Sequence, residues 1–317
     1  MIDNVPNIRL GYACINTFLQ TNHKITTNRS MKKRTFKKKG IEYASELARR
    51  NVEDLYPILV WNYENNIKLF RMSSCLFPWA SKYVLTDLPD YEDICIALKK
   101  SGDFSKEKGI RLSFHPGPFN ILASPKKRIV KNCVTDLKIH GEVMDLMGLP
   151  RDHNAKINIH IGASYGDRES ALKRWCKNFS LLPEAVRSRL TVENDDKANL
   201  YSVKDLYNGV FKKVGVPIVF DFHHHKFCTG DLTEEEALDM ACSTWGDIRP
   251  TCHYSESALE KEGKKVRANA HSDFIHDQIN NYGKGIDIIL ETKAKEKALF
   301  RYRELYSNNL YSNKDIR

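Results

Sequence analysis

The sequence predicts an α/β protein, a (β/α)8 barrel built as one domain. Three observations predict it. Eight short apolar, β-branched runs recur along the chain. Stretches of helical periodicity with charged faces separate them, and imidazole or carboxylate side chains close most of the runs. Buried parallel strands read as short apolar runs without polar alternation. Such barrels usually occupy ~250 residues, which fits within a chain of 317. An open doubly wound sheet would normally carry a glycine-rich phosphate turn after its first strand. Neither G-x-G-x-x-G nor G-x-x-x-x-G-K-[ST] occurs, so no ATP or other nucleotide cofactor is expected.

The first run is IRLGYAC at 8–14. The long interval to residue 66 is expected to hold an extended basic loop, about 20–40, and then a helix over 42–63. IKLFRMS at 67–73 and IRLSFH at 110–115 are the second and third strands. Ser124 and Pro125 supply a cap and a first-turn proline for a helix over 126–147. INIHIGA at 157–163 is the fourth strand, with a helix over 170–179, and LTVEND at 190–195 the fifth, with a helix over 203–214. A glycine–proline turn at 215–217 introduces IVFDFH at 218–223, whose helix covers 234–243. IRPTCHYS at 248–255 is the seventh strand. A turn at 283–285 introduces the eighth, IDIILET at 286–292, and a helix over 293–306. Residues 1–7 and about 307–317 are expected to be tails of this single domain.

Composition narrows the function. With 41% hydrophobic and 28% charged residues the chain is neither a low-complexity nor a collagen-like polymer. No stretch approaches the ~20 apolar residues of a membrane span, and no signal peptide is expected. Eight cysteines without a C-x-x-C pair suit reduced thiols in an intracellular protein. The net charge of +10 is uneven: residues 24–50 hold ten basic side chains against two acidic ones. A field of that sign favours a polyanion, because each neutralised phosphate releases condensed counterions. The run Lys32, Lys33, Arg34, Lys37, Lys38 and Lys39 is its centre; a solvated surface or a localisation signal is the plainer reading of the same residues.

The strand ends carry the chemistry. The third strand ends in His115, the fourth contains His160, and the fifth ends in Glu193, Asn194 and Asp195. The sixth supplies Asp221 and the triplet His223, His224 and His225; His253 lies in the seventh and Glu291 in the eighth. His271 follows in the loop after the seventh strand. One strand-end histidine is more often a hydrogen-bonded core residue than a ligand, and one strand-end acid more often a helix cap. Recurrence on six consecutive strands outweighs that reading, since a barrel directs these ends to one mouth. Glu193, Asp221 and Glu291 would repel one another without a cation between them, and the nitrogen/oxygen donor set suits zinc, manganese or iron. Strand alternation predicts that His223 or His225 serves in packing or support.

Together these residues resemble the UV damage endonucleases, barrel nucleases related to the endonuclease IV group. The resemblance runs over residues 8–299. It rests on RLGYACIN (9–16), FRMSSCLFPWAS (70–81), RLSFHPGPF (111–119), HIGASYG (160–166), VEND (192–195), VFDFHHH (219–225), HYS (253–255), AHSDF (270–274) and ETKAK (291–295). It implies a cluster of three divalent ions, manganese foremost, with zinc or magnesium as alternatives. The implied ligands are His115, His160, Glu193, Asp221, His224, His253, His271 and Glu291, with Glu193 as the bridging carboxylate. It also implies a monomer that cuts damaged double-stranded DNA immediately 5′ to cyclobutane dimers and 6-4 photoproducts, and at abasic sites, leaving a 3′-hydroxyl and a 5′-phosphate. Lys293, two residues beyond Glu291, is placed either to add positive charge near the phosphate or to stand as a surface lysine at a helix start. Tyr12 and Asn16 match lesion-side contacts, an aromatic of the barrel interior being the plainer reading of Tyr12. Pro118 and Phe119 stand where the family pattern is Gln-Tyr, so a wedge acting by stacking replaces polar readout. Cys75 stands where some relatives have histidine, and Thr251 where some have a modified lysine, so neither role carries over. A metal-dependent sugar isomerase and a non-catalytic damage-binding protein are the competing functions.

Overall fold

All eight runs fold as strands in the computed structural model, which describes residues 8–306. They are β1 (Arg9–Ala13), β2 (Leu69–Met72), β3 (Arg111–Phe114), β4 (Ile157–Ile159), β5 (Leu190–Glu193), β6 (Ile218–Asp221), β7 (Thr251–Tyr254) and β8 (Asp287–Leu290). The strand order β1 to β8 closes as a parallel barrel. Register is set by pairs such as Arg9 with Asp287, Leu69 with Arg111 and Asp221 with His253. Each strand is shorter than the apolar run that announces it: His115, His160 and Glu291 directly follow β3, β4 and β8, whereas Glu193, Asp221 and His253 lie within β5, β6 and β7. The two expected tails, 1–7 and 307–317, lie outside the described residues. No described helix is long and apolar enough to cross a membrane.

By packing, the chain forms two compact units, residues 8–13 with 192–306, and Cys14–Thr191. The second of these carries α1 (Thr17–His23), α2 (Lys33–Glu64), α3 (Tyr91–Glu107), α4 (Lys127–Leu146), α5 (Arg168–Phe179) and α6 (Glu184–Arg187). Helix α3 buries Ile94, Leu98, Ser101, Gly102 and Ser105, one stripe at helical spacing. Gly102 is required there: a Cβ would stand 1.8 Å from the Met147 carbonyl oxygen. Arg189 is wholly buried, and its guanidinium donates to the carbonyls of Pro150, Leu149 and Ala185 and to Asp145 at 2.7–2.9 Å. Pairing with a carboxylate and three carbonyls makes burial of that charge tolerable.

The basic segment is a correction. Residues 33–39 are helical rather than loop, forming the opening turns of α2 before a kink at Gly40, whose φ is 71° and ψ −163°. Lysine and arginine are good helix formers, and Phe36 stacks on Trp79 with ring centroids 6.0 Å apart, so the segment has both propensity and an anchor. Trp79 in turn donates from Nε1 to the Met31 carbonyl at 2.8 Å. The start of α4 also differs: Ser124 accepts from the Lys126 N–H, and the helix opens at Lys127.

The other unit carries α7 (Val203–Leu206), a π-helical turn (Tyr207–Phe211), α8 (Lys212–Val214), α9 (Phe222–His225), α10 (Glu234–Cys242), α11 (Ala258–Glu262) and α12 (Glu296–Tyr306). Thr233 and Glu236 close a reciprocal cap at the start of α10. At the opening of β8, Asp287 is fully buried and accepts from Arg9 at 2.6 and 2.7 Å and from Arg249 at 2.9 Å.

Candidate metal centre

Six of the eight expected ligands belong to one unit. Glu193 ends β5 and Asp221 ends β6, both with no exposed surface; His253 lies in β7, equally buried, and Glu291 follows β8. Asp221 caps α9, its Oδ1 accepting from the His224 N–H at 2.8 Å. The cap turns the chain so that His224 faces Glu193, with Nδ1 3.4 Å from Oε1. The other oxygen of Glu193, Oε2, lies 3.0 Å from His253 Nδ1, and that nitrogen is also 3.0 Å from Glu291 Oε1. Two donors bound ~2.1 Å from one ion stand roughly 3–3.5 Å apart, so the separations of His253 Nδ1 from the two acids match shared coordination.

Hydrogen bonds to carbonyls decide which imidazole nitrogen is available. Nδ1 of His224 donates to the Asn194 carbonyl at 2.9 Å, and Nδ1 of His271 donates to the Glu291 carbonyl at 2.7 Å. Both rings therefore keep their lone pair on Nε2, the arrangement of a neutral metal-ligating histidine. Burial pushes the Asp221 carboxyl above the ordinary range; His224 and His253 pull it back, while Glu193 and Glu291 push it further up. Three acids concentrated in so little solvent suit a cation, which would reverse that push.

The remaining two expected ligands lie in the other unit. His115 directly follows β3 and His160 directly follows β4; their ring centroids are 5.4 Å apart. Nδ1 of His115 donates to the Pro116 carbonyl at 3.3 Å.

The histidine triplet is not strand, so alternation does not sort it. All three lie on the single turn α9 and all are buried. His223 packs edge-on to Phe227 and to His271, and burial holds its imidazole down at about 4, with His271 adding to the effect. His225 sits against Phe220, its imidazole lowered by burial. Both support the turn that presents His224.

Two supporting residues carry no role that the sequence alone suggests. Asn194 clamps β6: Nδ2 donates to the Asp221 carbonyl at 3.0 Å and Oδ1 accepts from the Asp221 N–H at 2.8 Å. Its place between Glu193 and Asp195 is the one signal that could have marked it. Glu256, fully buried, accepts from the N–H groups of His276 and Asp277 at 2.8 and 2.9 Å, while its carbonyl accepts from Ser272. It thereby ties down the loop bearing His271, a role that sequence spacing does not reveal.

The other named residues are spread more widely. Lys293 is exposed, with its backbone N–H bonded to the Ser272 carbonyl. Lys32, Lys33, Arg34, Lys37, Lys38 and Lys39 are all exposed. Pro118 is exposed and Phe119 is 64% exposed, its ring lying so close over Gly117 that a Cβ there would meet it at 2.6 Å. Phe119, Cys75, Trp79 and Asp136 line a cavity of about 540 Å³. Tyr12 has no exposed surface, and Asn16 is 1% exposed with Oδ1 capping α1 through the Leu19 N–H. Thr251 is buried in the β7 ladder opposite Asp287.

Residues 8–316 match the family described as UV-endonuclease UvdE. The chain is 34% identical to the UV DNA damage endonuclease of Bacillus cereus (strain G9842), over 80% of each chain. It is 33% identical to the UV-damage endonuclease of Schizosaccharomyces pombe, over 94% of this chain and 50% of that longer one. Among solved structures it resembles SacUVDE at 30% identity and a TM-score of 0.82, covering 95% of this chain and 98% of the other. Likeness to a D-psicose 3-epimerase from Clostridium cellulolyticum H10, at 14% identity and a TM-score of 0.55, shows the barrel fold alone.

Proposed function

The chain belongs to the UV-endonuclease family, and on that premise we propose that it is a metal-dependent DNA repair enzyme that nicks the phosphodiester immediately 5′ to UV photoproducts. Cyclobutane dimers and 6-4 photoproducts are the proposed substrates, with abasic sites in addition. The observation that carries the metal-dependent part is the convergence of Glu193, His253 and Glu291, with His253 Nδ1 3.0 Å from an oxygen of each acid.

In this reading His115, His160, Glu193, Asp221, His224, His253, His271 and Glu291 hold three ions; a donor set of imidazoles and carboxylates without thiolate suits zinc, manganese or iron, and the family resemblance puts manganese first. Such ions, when bound, supply an activated water and neutralise charge on the phosphate and the leaving oxygen. Glu193 is proposed as the bridge because it turns Oε1 to His224 and Oε2 to His253, one oxygen for each neighbour. Asn194 and the carbonyls behind His224 and His271 orient the ligands. Lys293 brings an exposed ammonium two residues past Glu291 to meet phosphate. The exposed cations of residues 32–39 hold the DNA backbone without regard to sequence, and the Pro118–Phe119 tip fills space vacated by displaced bases. Tyr12 and Asn16 are proposed to shape the lesion side from beneath, as their burial requires.

The test is cleavage mapping on a duplex carrying one defined photoproduct. A single nick on its 5′ side with 3′-hydroxyl and 5′-phosphate ends is expected, lost on chelation and restored by manganese. Cleavage elsewhere, or cleavage indifferent to chelator, overturns the proposal. Binding without nicking in the presence of manganese would instead favour a non-catalytic damage-binding protein.

A further inference from the structure

The loop between β4 and α5 holds an aromatic side chain that the proposed reaction does not use. Tyr165 is 42% exposed, and its backbone lies in the left-handed region at φ 51°. That conformation is disfavoured for a residue with a Cβ and a bulky ring, and glycine would adopt it freely. Glycines take it on either side, Gly162 at φ 95° and Gly166 at φ 80°.

The surroundings hold the ring in place. The Arg174 guanidinium carbon of α5 stands 5.6 Å from the centre of the Tyr165 ring. Arg174 is itself tethered, Nε donating to the Ala123 carbonyl at 2.8 Å, and Asn178 one turn later donates to the Leu122 carbonyl at 2.8 Å. Gly162 packs against the same stretch: a Cβ there would come 2.9 Å from Ile121 Cγ1. The Tyr165 loop and the segment carrying Phe119 are therefore fastened to one another through residues 121–123. Arg168, Lys173 and Lys177 are exposed on the same helix, α5.

We propose that Tyr165 is a second stacking platform, which receives a nucleobase of the damaged duplex unstacked beside the lesion. The inference rests on the reading of this chain as a DNA enzyme. A cation-backed aromatic ring held on a fixed loop is suited to the π-face of a base and indifferent to base identity. The neighbouring cations would meet the phosphates on either side of that base.

The experiment compares wild type, Tyr165→Gly and Tyr165→Phe for binding to a duplex with one photoproduct, read by anisotropy in chelator, together with thermal melting. Removal of one base stack is expected to weaken binding of Tyr165→Gly roughly 5- to 100-fold. Its melting temperature should stay level or rise, because glycine relieves the left-handed φ. Tyr165→Phe should bind as wild type does. An unchanged affinity for Tyr165→Gly overturns the inference. So does a weakening that is accompanied by lower melting or that phenylalanine fails to restore, since either assigns the side chain to loop structure or to its hydroxyl. Wild-type protein that neither binds nor nicks lesion-bearing DNA would sink the functional reading itself, whereas normal wild-type nicking with an unaffected Tyr165→Gly would sink this inference alone.

Discussion

Glu193 joins two imidazoles through its two oxygens and has no exposed surface, so replacing it by glutamine changes charge without changing shape. Glu193→Gln is expected to lower nicking at least ~100-fold while lesion-duplex affinity in chelator stays close to wild type. Near-normal nicking by that variant would remove Glu193 from the centre. Asn194 acts only through what it holds. Asn194→Ala should cost ~10- to 100-fold in manganese affinity, measured by titration, with the fold intact by circular dichroism. Glu193 was legible in the sequence because it is one of six polar strand ends in a row, a recurrence that a lone helix cap does not produce. The contribution of Asn194 was not, because a clamp from one strand end to the backbone of the next is a matter of tertiary register.

Element by element, the clearest departure is the opening of α2. Periodicity marked the helix only from residue 42, since 32–39 is too basic to show an apolar stripe; the partner that makes it helical, Trp79, is 43 positions beyond Phe36. Replacing Lys33, Lys37 and Lys38 by alanine keeps helix propensity and removes three exposed cations. The slope of log affinity against log salt should flatten by about 0.9 for each phosphate no longer neutralised, equally on damaged and undamaged duplex. An unchanged slope would detach this segment from DNA. At the end of α11, burial by itself would raise the Glu262 carboxyl. Lys264 and the N–H groups of Phe274 and Asp273 outweigh it and hold that carboxyl at about 2, below its usual 4.5. A depressed acid stabilises the fold above its unfolded value and loses that contribution as pH falls through the folded one. The stability advantage of wild type over Glu262→Gln should accordingly be full above pH 4.5 and shrink toward pH 2, as denaturant unfolding at stepped pH would show. An advantage independent of pH over that range would refute the assignment.

For the chain as a whole, the proposed centre makes stability depend on divalent ions. Ions that bind the native fold and not the unfolded chain stabilise it by mass action, about 2.7 kcal/mol at a hundredfold excess over the dissociation constant. Manganese should therefore raise the melting temperature of chelator-treated protein by on the order of 3–6 °C, and Glu193→Gln should abolish most of that rise. A melting temperature blind to manganese in wild type would argue against a metal centre among these residues.

By itself the sequence determined the number, order and type of the strands, because burying parallel strands on both faces demands apolar β-branched runs that few other structures need. It also determined which residues stand at strand ends, since those runs stop where polar groups begin. Only the tertiary structure decided which nitrogen of His224 and of His271 donates to a carbonyl, that the triplet after Asp221 is a helical turn, and that residues 33–39 are helical. The first and last of these depend on partners distant in the chain, the Asn194 carbonyl and the Trp79 ring, while the turn after Asp221 depends on a cap that is local but is set where β6 ends. A hydrogen bond or a ring stack is a matter of a few ångströms in space, and composition along the chain carries no measure of that distance.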